Sequence, residues 1–316
     1  MWALRQPAPF EIERIEVPAP DPGELAPDEV LVRFRLGGIC GSDLPAFSGV
    51  RNLENPHTGR VGAPLHEIVG DVVASAANRL RVGDRVVGTA WPVGLQELIT
   101  VPADQLHVLS PDLTDMAAIM MQPLATVLCA LDRIGDVAGR HAAVLGLGPM
   151  GVLFCVVLRA RGAHVTGVDR VDRADVVKTF GIDQLIVGQT HEWVMGLTDA
   201  DRPDLVIDAI GHSQDVLADC VAAASPHGEI YAFGLPEEHY VLPMRVFFRK
   251  ALTLRGGVTS NWPAHLAAAE QFVLLRQDLA SAYVTHSFPL TEARDAFLTA
   301  LRPSAGRLKI ALTLPN

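Results

Sequence analysis

The chain has 316 residues, 49% of them hydrophobic and 20% charged, and a formal net charge of −10. That length allows a sizeable buried core and about two domains, and the composition excludes a disordered or fibrous chain. No basic run offsets the negative charge, so general affinity for nucleic acid or an anionic membrane is excluded and small-molecule chemistry is left.

In chain order, residues 1 to about 110 carry short strand patterns. "FEIERIEV" and "DEVLVRFRL" alternate as half-buried strands do, while "HEIVGDVVAS" and "DRVVGTA" are rich in valine and isoleucine, with Gly, Pro or Asp between them. A β-barrel-like module is expected there. From about residue 124 the order becomes strand, helix, strand: "HAAVLGLG", "PMGVLFCVVLRARG", "AHVTGVD". It continues through the buried-strand candidates "QLIVG", "DLVIDAIG", "EIYAFGL" and "ALTLRGG", with "SQDVLADCVAAAS" as an intervening helix. Short apolar strands alternating with helices predict a parallel sheet covered on both faces. The tail offers two amphipathic helices, "PAHLAAAEQFVLLRQ" and "LTEARDAFLTAL", and a last strand, "LKIALTL". It brings little sheet of its own, which suggests a return to the first module. The N-terminal stretch "MWALRQPAPFEIERIEV" has no apolar segment suited to a signal peptide, and the longest apolar run, "VLFCVVL", stops at Arg159. No membrane span is expected. Cys40, Cys129, Cys155 and Cys220 form no C-x-x-C pair, so neither a disulfide framework nor a compact zinc finger is indicated, and a reducing cytoplasm is the expected location.

The segment "LGLGPMG" places Gly146, Gly148 and Gly151 in a G-x-G-x-x-G between a predicted strand and a predicted helix, with Pro149 and Met150 at the helix start. The first glycine permits the tight turn, the second lets backbone approach a pyrophosphate, and the third lets helix and strand pack closely. Amides at the helix start then face phosphate. Asp169 ends the next strand, where a carboxylate accepts hydrogen bonds from a ribose and repels a 2′-phosphate, so NAD is expected rather than NADP. Arg170 qualifies this, since a guanidinium clamps a phosphate if Asp169 turns away.

A different site is suggested by "GGICGSDLPAFSG". Taken alone, Cys40 is either a metal ligand with distant partners or a small apolar residue at a strand end. With "HEIVGDVVAS", "RVGDRVVG", "LQELITVPADQLHVL", "MQPLATVLCAL", "LGLGPMG", "VIDAIG" and "YAFGL" in this order, the chain resembles the medium-chain dehydrogenase/reductases over nearly its whole length, and within them the zinc-dependent alcohol, polyol and sugar dehydrogenases. The resemblance implies an α/β architecture: a GroES-like β-barrel catalytic domain over 1–123 and 257–316, and a doubly wound Rossmann domain over 124–256, with the active site in the cleft between them. It implies that Cys40 and His66 ligate a catalytic zinc and that Glu67 is the third ligand, as in the polyol and sugar members. Thiolate, imidazole and carboxylate are legitimate zinc donors, and a catalytic site adds an open or water-filled position.

Gln122 stands where relatives carry glutamate or a ligand cysteine, and is expected as an optional fourth ligand or a hydrogen-bond partner of the zinc water. Cys40 thiolate and Glu67 carboxylate already cancel the charge of Zn²⁺, so a neutral amide there preserves Lewis acidity. The four-cysteine lobe of many relatives is missing from "RVVGTAWPVGLQELITV", so one zinc per subunit and no structural zinc is expected. Cys129, Cys155 and Cys220 are expected in the core. Ser42 matches the hydroxyl that takes the alkoxide proton, Asp43 the acid that orients the ligand histidine, and Thr126 a position near the nicotinamide. The relay histidine of many relatives is replaced by the stretch Leu44, Pro45, Ala46, so the path ends in water or in a substitute such as His57. Phe47, Trp91 and Leu95 are either lining or core.

The function expected is hydride transfer between nicotinamide and a secondary alcohol or ketone of a polar polyol, sugar or cyclitol-like small molecule, by a homodimer or homotetramer. Two alternatives stay open: a reductase of an activated C=C or C=N bond with idle or absent zinc, and a dinucleotide-binding protein without catalysis.

Overall fold

The computed structural model describes residues 1–49 and 59–315; His57 lies outside them. The strands run β1 (Trp2–Arg5), β2 (Glu13–Glu16), β3 (Glu29–Gly38), β4 (Glu67–Ser75), β5 (Arg85–Thr89), β6 (Leu98–Pro102), β7 (Leu106–Val108), β8 (His141–Leu145), β9 (His164–Asp169), β10 (Gln184–Val187), β11 (Leu205–Asp208), β12 (Glu229–Ala232), β13 (Thr253–Gly256), β14 (Val284–Pro289) and β15 (Lys309–Thr313). Two compact units emerge. One comprises Met1–Ala125, Asn261–Arg302 and Arg307–Asn316, and the other Thr126–Ser260 with Pro303–Gly306.

In the first unit a seven-stranded sheet has the order β14-β15-β3-β4-β5-β7, with β6 also paired to β3. The ten residues of β3 let it serve two neighbours on one edge. Leu36–Gly38 pair with β15, and Glu29–Arg33 with β6. Its other edge carries β4 in a long antiparallel ladder that ends at Gly38 opposite Glu67. The inward side chains Val30, Val32, Phe34, Ile68, Val86, Ile99 and Leu312 form one core with Phe297 of the tail helix Ala293–Ala300. Each such aliphatic or aromatic side chain contributes about 1.5–3 kcal/mol on burial. The tail does return: β15 completes the sheet beside β3, and Glu270 of helix Trp262–Leu275 accepts from the Ser110 amide at 2.7 Å and faces His107 at 3.0 Å.

Strand β14 was not expected from sequence. It is a half-exposed edge strand holding Thr285, His286 and Ser287, so it lacks the apolar face that makes a strand visible. The tail therefore brings two strands, not one.

In the second unit six parallel strands run β10-β9-β8-β11-β12-β13. Numbered within the unit this is 3-2-1-4-5-6, the dinucleotide-binding order, whose switch point falls between β8 and β11. Cys155 and Cys220 are buried in its helices, and burial pushes both thiols up, that of Cys220 further under the charges of Asp208 and Asp219. Cys129 is buried on helix Met121–Ile134. The apolar helical run Asp115–Ile134 is long enough to cross a membrane but is mostly buried within the protein, as a core helix is.

Candidate metal centre and dinucleotide site

Strand β3 ends at Gly38, and the chain turns through Cys40 into a short 3-10 helix, Gly41–Asp43. The Asp43 carboxylate makes that turn: one oxygen accepts the Cys40 amide at 2.9 Å, and the other lies 2.9 Å from His66 Nδ1. Asp43 is 2% exposed and His66 6%, so the bond is shielded from water. Engaging Nδ1 fixes the ring's direction and leaves Nε2 as the nitrogen available to ligate a metal. Burial works against the charged His66 ring, but Asp43 and then Cys40 outweigh it and hold its pKa well above the usual histidine value. The Trp91 ring meets His66 edge-on with centroids 5.0 Å apart, and Trp91 is otherwise exposed.

His66 immediately precedes β4, and Glu67 begins it. The donor atoms of Cys40, His66 and Glu67 all lie within 4.8 Å of one another. Zinc held at about 2.0–2.3 Å by sulfur, nitrogen and oxygen places its donors roughly 3.3–3.8 Å apart, so small side-chain adjustments suffice and the residues fit the ion. Gly38 is what gives the carboxylate room, because a Cβ there would stand 2.4 Å from Glu67 Oε2.

Lys309, absent from the sequence reading, changes the electrostatics. Its ammonium lies 2.7 Å from each Glu67 oxygen and donates to the Ile39 carbonyl at 3.1 Å, with Lys309 1% and Glu67 0% exposed. The charge balance expected from Cys40 and Glu67 alone is therefore incomplete: Lys309 already offsets the Glu67 carboxylate, and the buried Asp43 carboxylate adds a negative charge beside His66. The one signal in the sequence was a lysine inside the apolar strand "LKIALTL".

Other expected residues fall as follows. Ser42 is half-buried on the 3-10 helix and Pro45 lies in helix Leu44–Ser48. Gln122 is buried near the start of helix Met121–Ile134, which also carries Thr126. Phe47 and Leu95 are fully buried core, Phe47 packing on Phe10 and Phe297, so of the three residues weighed as lining only Trp91 reaches the surface.

In the second unit the glycine loop links β8 to helix Pro149–Ala160 with Gly148 at its N-cap. Gly146 takes φ +91, and a Cβ on Gly151 would stand 1.8 Å from the Gly146 carbonyl oxygen, so these positions need glycine. A Cβ on Gly148 meets nothing within 4 Å, which leaves that backbone open to a ligand. Asp169 at the end of β9 accepts the Leu147 amide at 2.7 Å and the Val171 amide at 2.8 Å. Pinned from both sides, the carboxylate does not turn away, and Arg170 is exposed. The guanidinium tied to this loop is instead Arg173, which is buried, donates to the Leu147 carbonyl at 2.9 Å and pairs with Asp175.

A parallel sheet of this order with a glycine loop at its switch point, and a separate thiol, imidazole and carboxylate cluster on a mostly antiparallel sheet, define a metal- and dinucleotide-using oxidoreductase. Residues 149–274 match the zinc-binding dehydrogenases and residues 26–111 the alcohol dehydrogenase GroES-like domain. The chain belongs to the zinc-binding medium-chain alcohol dehydrogenase family, with its GroES-like domain and Rossmann sheet. It is 27% identical to sorbitol dehydrogenase of Bombyx mori over 96% of this chain and 95% of that one. Among solved structures, alcohol dehydrogenase TADH from Thermus sp. ATN1 superposes with a TM-score of 0.86 at 26% identity, covering both chains fully. The fold is shared by an alcohol dehydrogenase of E. coli CFT073 complexed with NADH, with a TM-score of 0.83, 22% identity and 99% of each chain covered.

The Asp43 bridge carries an expected result. Asp43→Asn keeps an acceptor for the Cys40 amide but removes the charge beside His66, and zinc affinity is expected to fall about 10- to 100-fold. Competition against a chromophoric chelator measures it; an unchanged affinity would show that Asp43 serves the turn alone.

Proposed function

We propose that the chain is a zinc- and NAD-dependent oxidoreductase that moves a hydride between nicotinamide and a secondary alcohol or ketone of a polar, polyol- or sugar-like substrate. The observation that carries this reading is the convergence of Cys40, His66 and Glu67 donor atoms within 4.8 Å, in a chain whose family is zinc-binding. Cys40 and His66 would hold one catalytic zinc, with Glu67 a third donor weakened by Lys309 and Gln122 an optional fourth. Bound there, zinc supplies Lewis-acid polarisation of the substrate oxygen.

The chain's own residues supply the rest. Asp43 orients His66, Ser42 is the hydroxyl assigned to receive the alcohol proton, and Trp91 offers an exposed ring face beside His66 for the carbon skeleton. Gly146, Gly148, Pro149, Met150 and Gly151 would carry the pyrophosphate, with Thr126 toward the nicotinamide. Asp169, with lone pairs left on both oxygens after its two amide bonds, would take the ribose hydroxyls. A 2′-phosphate beside that fixed carboxylate is repelled, which favours NAD over NADP. Sorbitol dehydrogenase among the relatives supports the polyol choice. Strand β13 has one edge without a partner strand among the described residues and all four of its residues exposed, which supports assembly as a homodimer or homotetramer. Four free thiols suit a reducing cytoplasm.

The test is metal analysis of the purified protein together with a polyol, sugar and cyclitol panel, followed as NADH absorbance. About one zinc per chain is expected, with turnover of a secondary alcohol and kcat/KM at least about ten-fold higher with NAD than with NADP. A zinc-free active enzyme, or a preference for NADP, would refute the corresponding half of the reading.

A further inference from the structure

Four strand neighbours deliver one side chain each to the same end of the first unit's sheet. Val284 of β14 pairs with Lys309 of β15, the amide of Ile39, just past β3, donates to the carbonyl of Ile310, and Gly38 of β3 pairs with Glu67 of β4. The residue immediately before β14 is Tyr283, which ends helix Gln277–Tyr283. This row therefore brings Tyr283, Lys309, Cys40 and Glu67 to one place. Tyr283 is fully buried, and its hydroxyl is a buried side-chain polar atom without a hydrogen-bond partner among the described residues. Such a group is an anomaly, because a buried donor left unspent costs stability that phenylalanine would avoid. Burial holds the hydroxyl protonated, and the charges it feels are those of Glu67 and then Cys40. It is a neutral donor in the wall of the cluster.

We propose that Tyr283 is a positioning residue of the metal centre, whose hydroxyl donates to the Glu67 carboxylate when a divalent cation draws that carboxylate away from a symmetrical grip by Lys309. The inference rests on the zinc-site reading above. In the metal-free chain both Glu67 oxygens are held by one ammonium. Recruiting one of them to a cation loosens that bidentate pairing, and Tyr283 supplies the replacement hydrogen bond. The hydroxyl is thus kept for the loaded state at a cost to the empty one.

Tyr283→Phe removes the hydroxyl and little else. Zinc affinity, measured by chelator competition, is expected to weaken about ten-fold, while the metal-free variant melts no lower than wild type. With cobalt(II) as a probe, the thiolate charge-transfer band of Cys40 is expected to shift in the variant. In the Glu67→Gln background the same substitution should leave zinc affinity unchanged. As a measurement needing no variant, the tyrosine doublet in the Raman difference between zinc-loaded and metal-free wild type should report a hydroxyl that has become a donor. Equal zinc affinity and superimposable cobalt spectra in wild type and Tyr283→Phe would overturn this inference alone, as would a doublet that does not change. A wild-type chain that takes up no zinc would overturn the site and the inference together.

Discussion

Cys40→Ser is expected to lose its zinc and, with it, at least about a thousand-fold in kcat/KM. Lewis-acid stabilisation of a developing oxyanion is worth several kcal/mol, and each 1.36 kcal/mol is a factor of ten. Cys40 supplies the one donor in the cluster that is both soft and free of a bidentate ion pair; Glu67 shares its charge with Lys309, and His66 is neutral when it ligates. A serine hydroxyl remains protonated near neutral pH, so the substitution removes a full negative charge as well as the sulfur. The fold should not suffer, because the turn is held by the Cys40 amide and the Asp43 carboxylate, which serine leaves in place. NAD affinity is expected to stay within about two-fold, because Gly146, Gly148, Gly151 and Asp169 belong to the other unit. Metal analysis, dinucleotide binding and turnover on the same preparation separate these effects. A zinc-free Cys40→Ser chain with wild-type turnover would remove metal chemistry from the reaction.

The parts of this protein that were legible in its sequence are those whose signal is local. Gly146, Gly148, Gly151 and Asp169 lie within one strand, helix, strand unit, and backbone geometry over a few residues demands glycine at Gly146 and Gly151. The central strands of the parallel sheet, β8 and β11, are buried over nearly their whole length and announce themselves as short apolar runs. Cys40, His66 and Glu67, whose donor atoms converge within 4.8 Å, were not legible as a group from their own chemistry, since no spacing rule joins residues so far apart; the order of surrounding motifs pointed to them. Lys309 and Tyr283 had no such help. Lys309 is 242 residues from Glu67, and its pairing depends on β15 closing beside β3, a contact no periodicity encodes. Tyr283 sits at a helix end before a polar edge strand, where a tyrosine attracts no notice. The aromatics show the converse failure: Phe47 and Trp91 looked alike as candidates for a lining, and only packing distinguishes a ring held between Phe10 and Phe297 from one left exposed beside His66.

Lys309→Met tests the electrostatic account most severely. Methionine keeps most of the buried stem but strands the Glu67 carboxylate, 0% exposed, without its counter-ion. Breaking a buried pair by removing one partner costs about 3–5 kcal/mol, which for a unit of this size lowers Tm by roughly 6–20 °C. If the loss comes from an uncompensated charge and not from packing, Lys309→Met/Glu67→Gln should recover most of it, since two neutral side chains of similar volume need no ion pairing. Zinc provides a second discriminator. A cation that binds the folded state stabilises it by RT ln(1 + [L]/Kd), about 2.7 kcal/mol at a hundred-fold excess over Kd, and in Lys309→Met it also replaces the missing positive charge beside Glu67. The variant should therefore gain more in Tm from added zinc than wild type does, and the double variant less than either. If Lys309→Met melts within about 2 °C of wild type, or gains nothing extra from zinc, the Glu67 charge is not what the ammonium and the metal share.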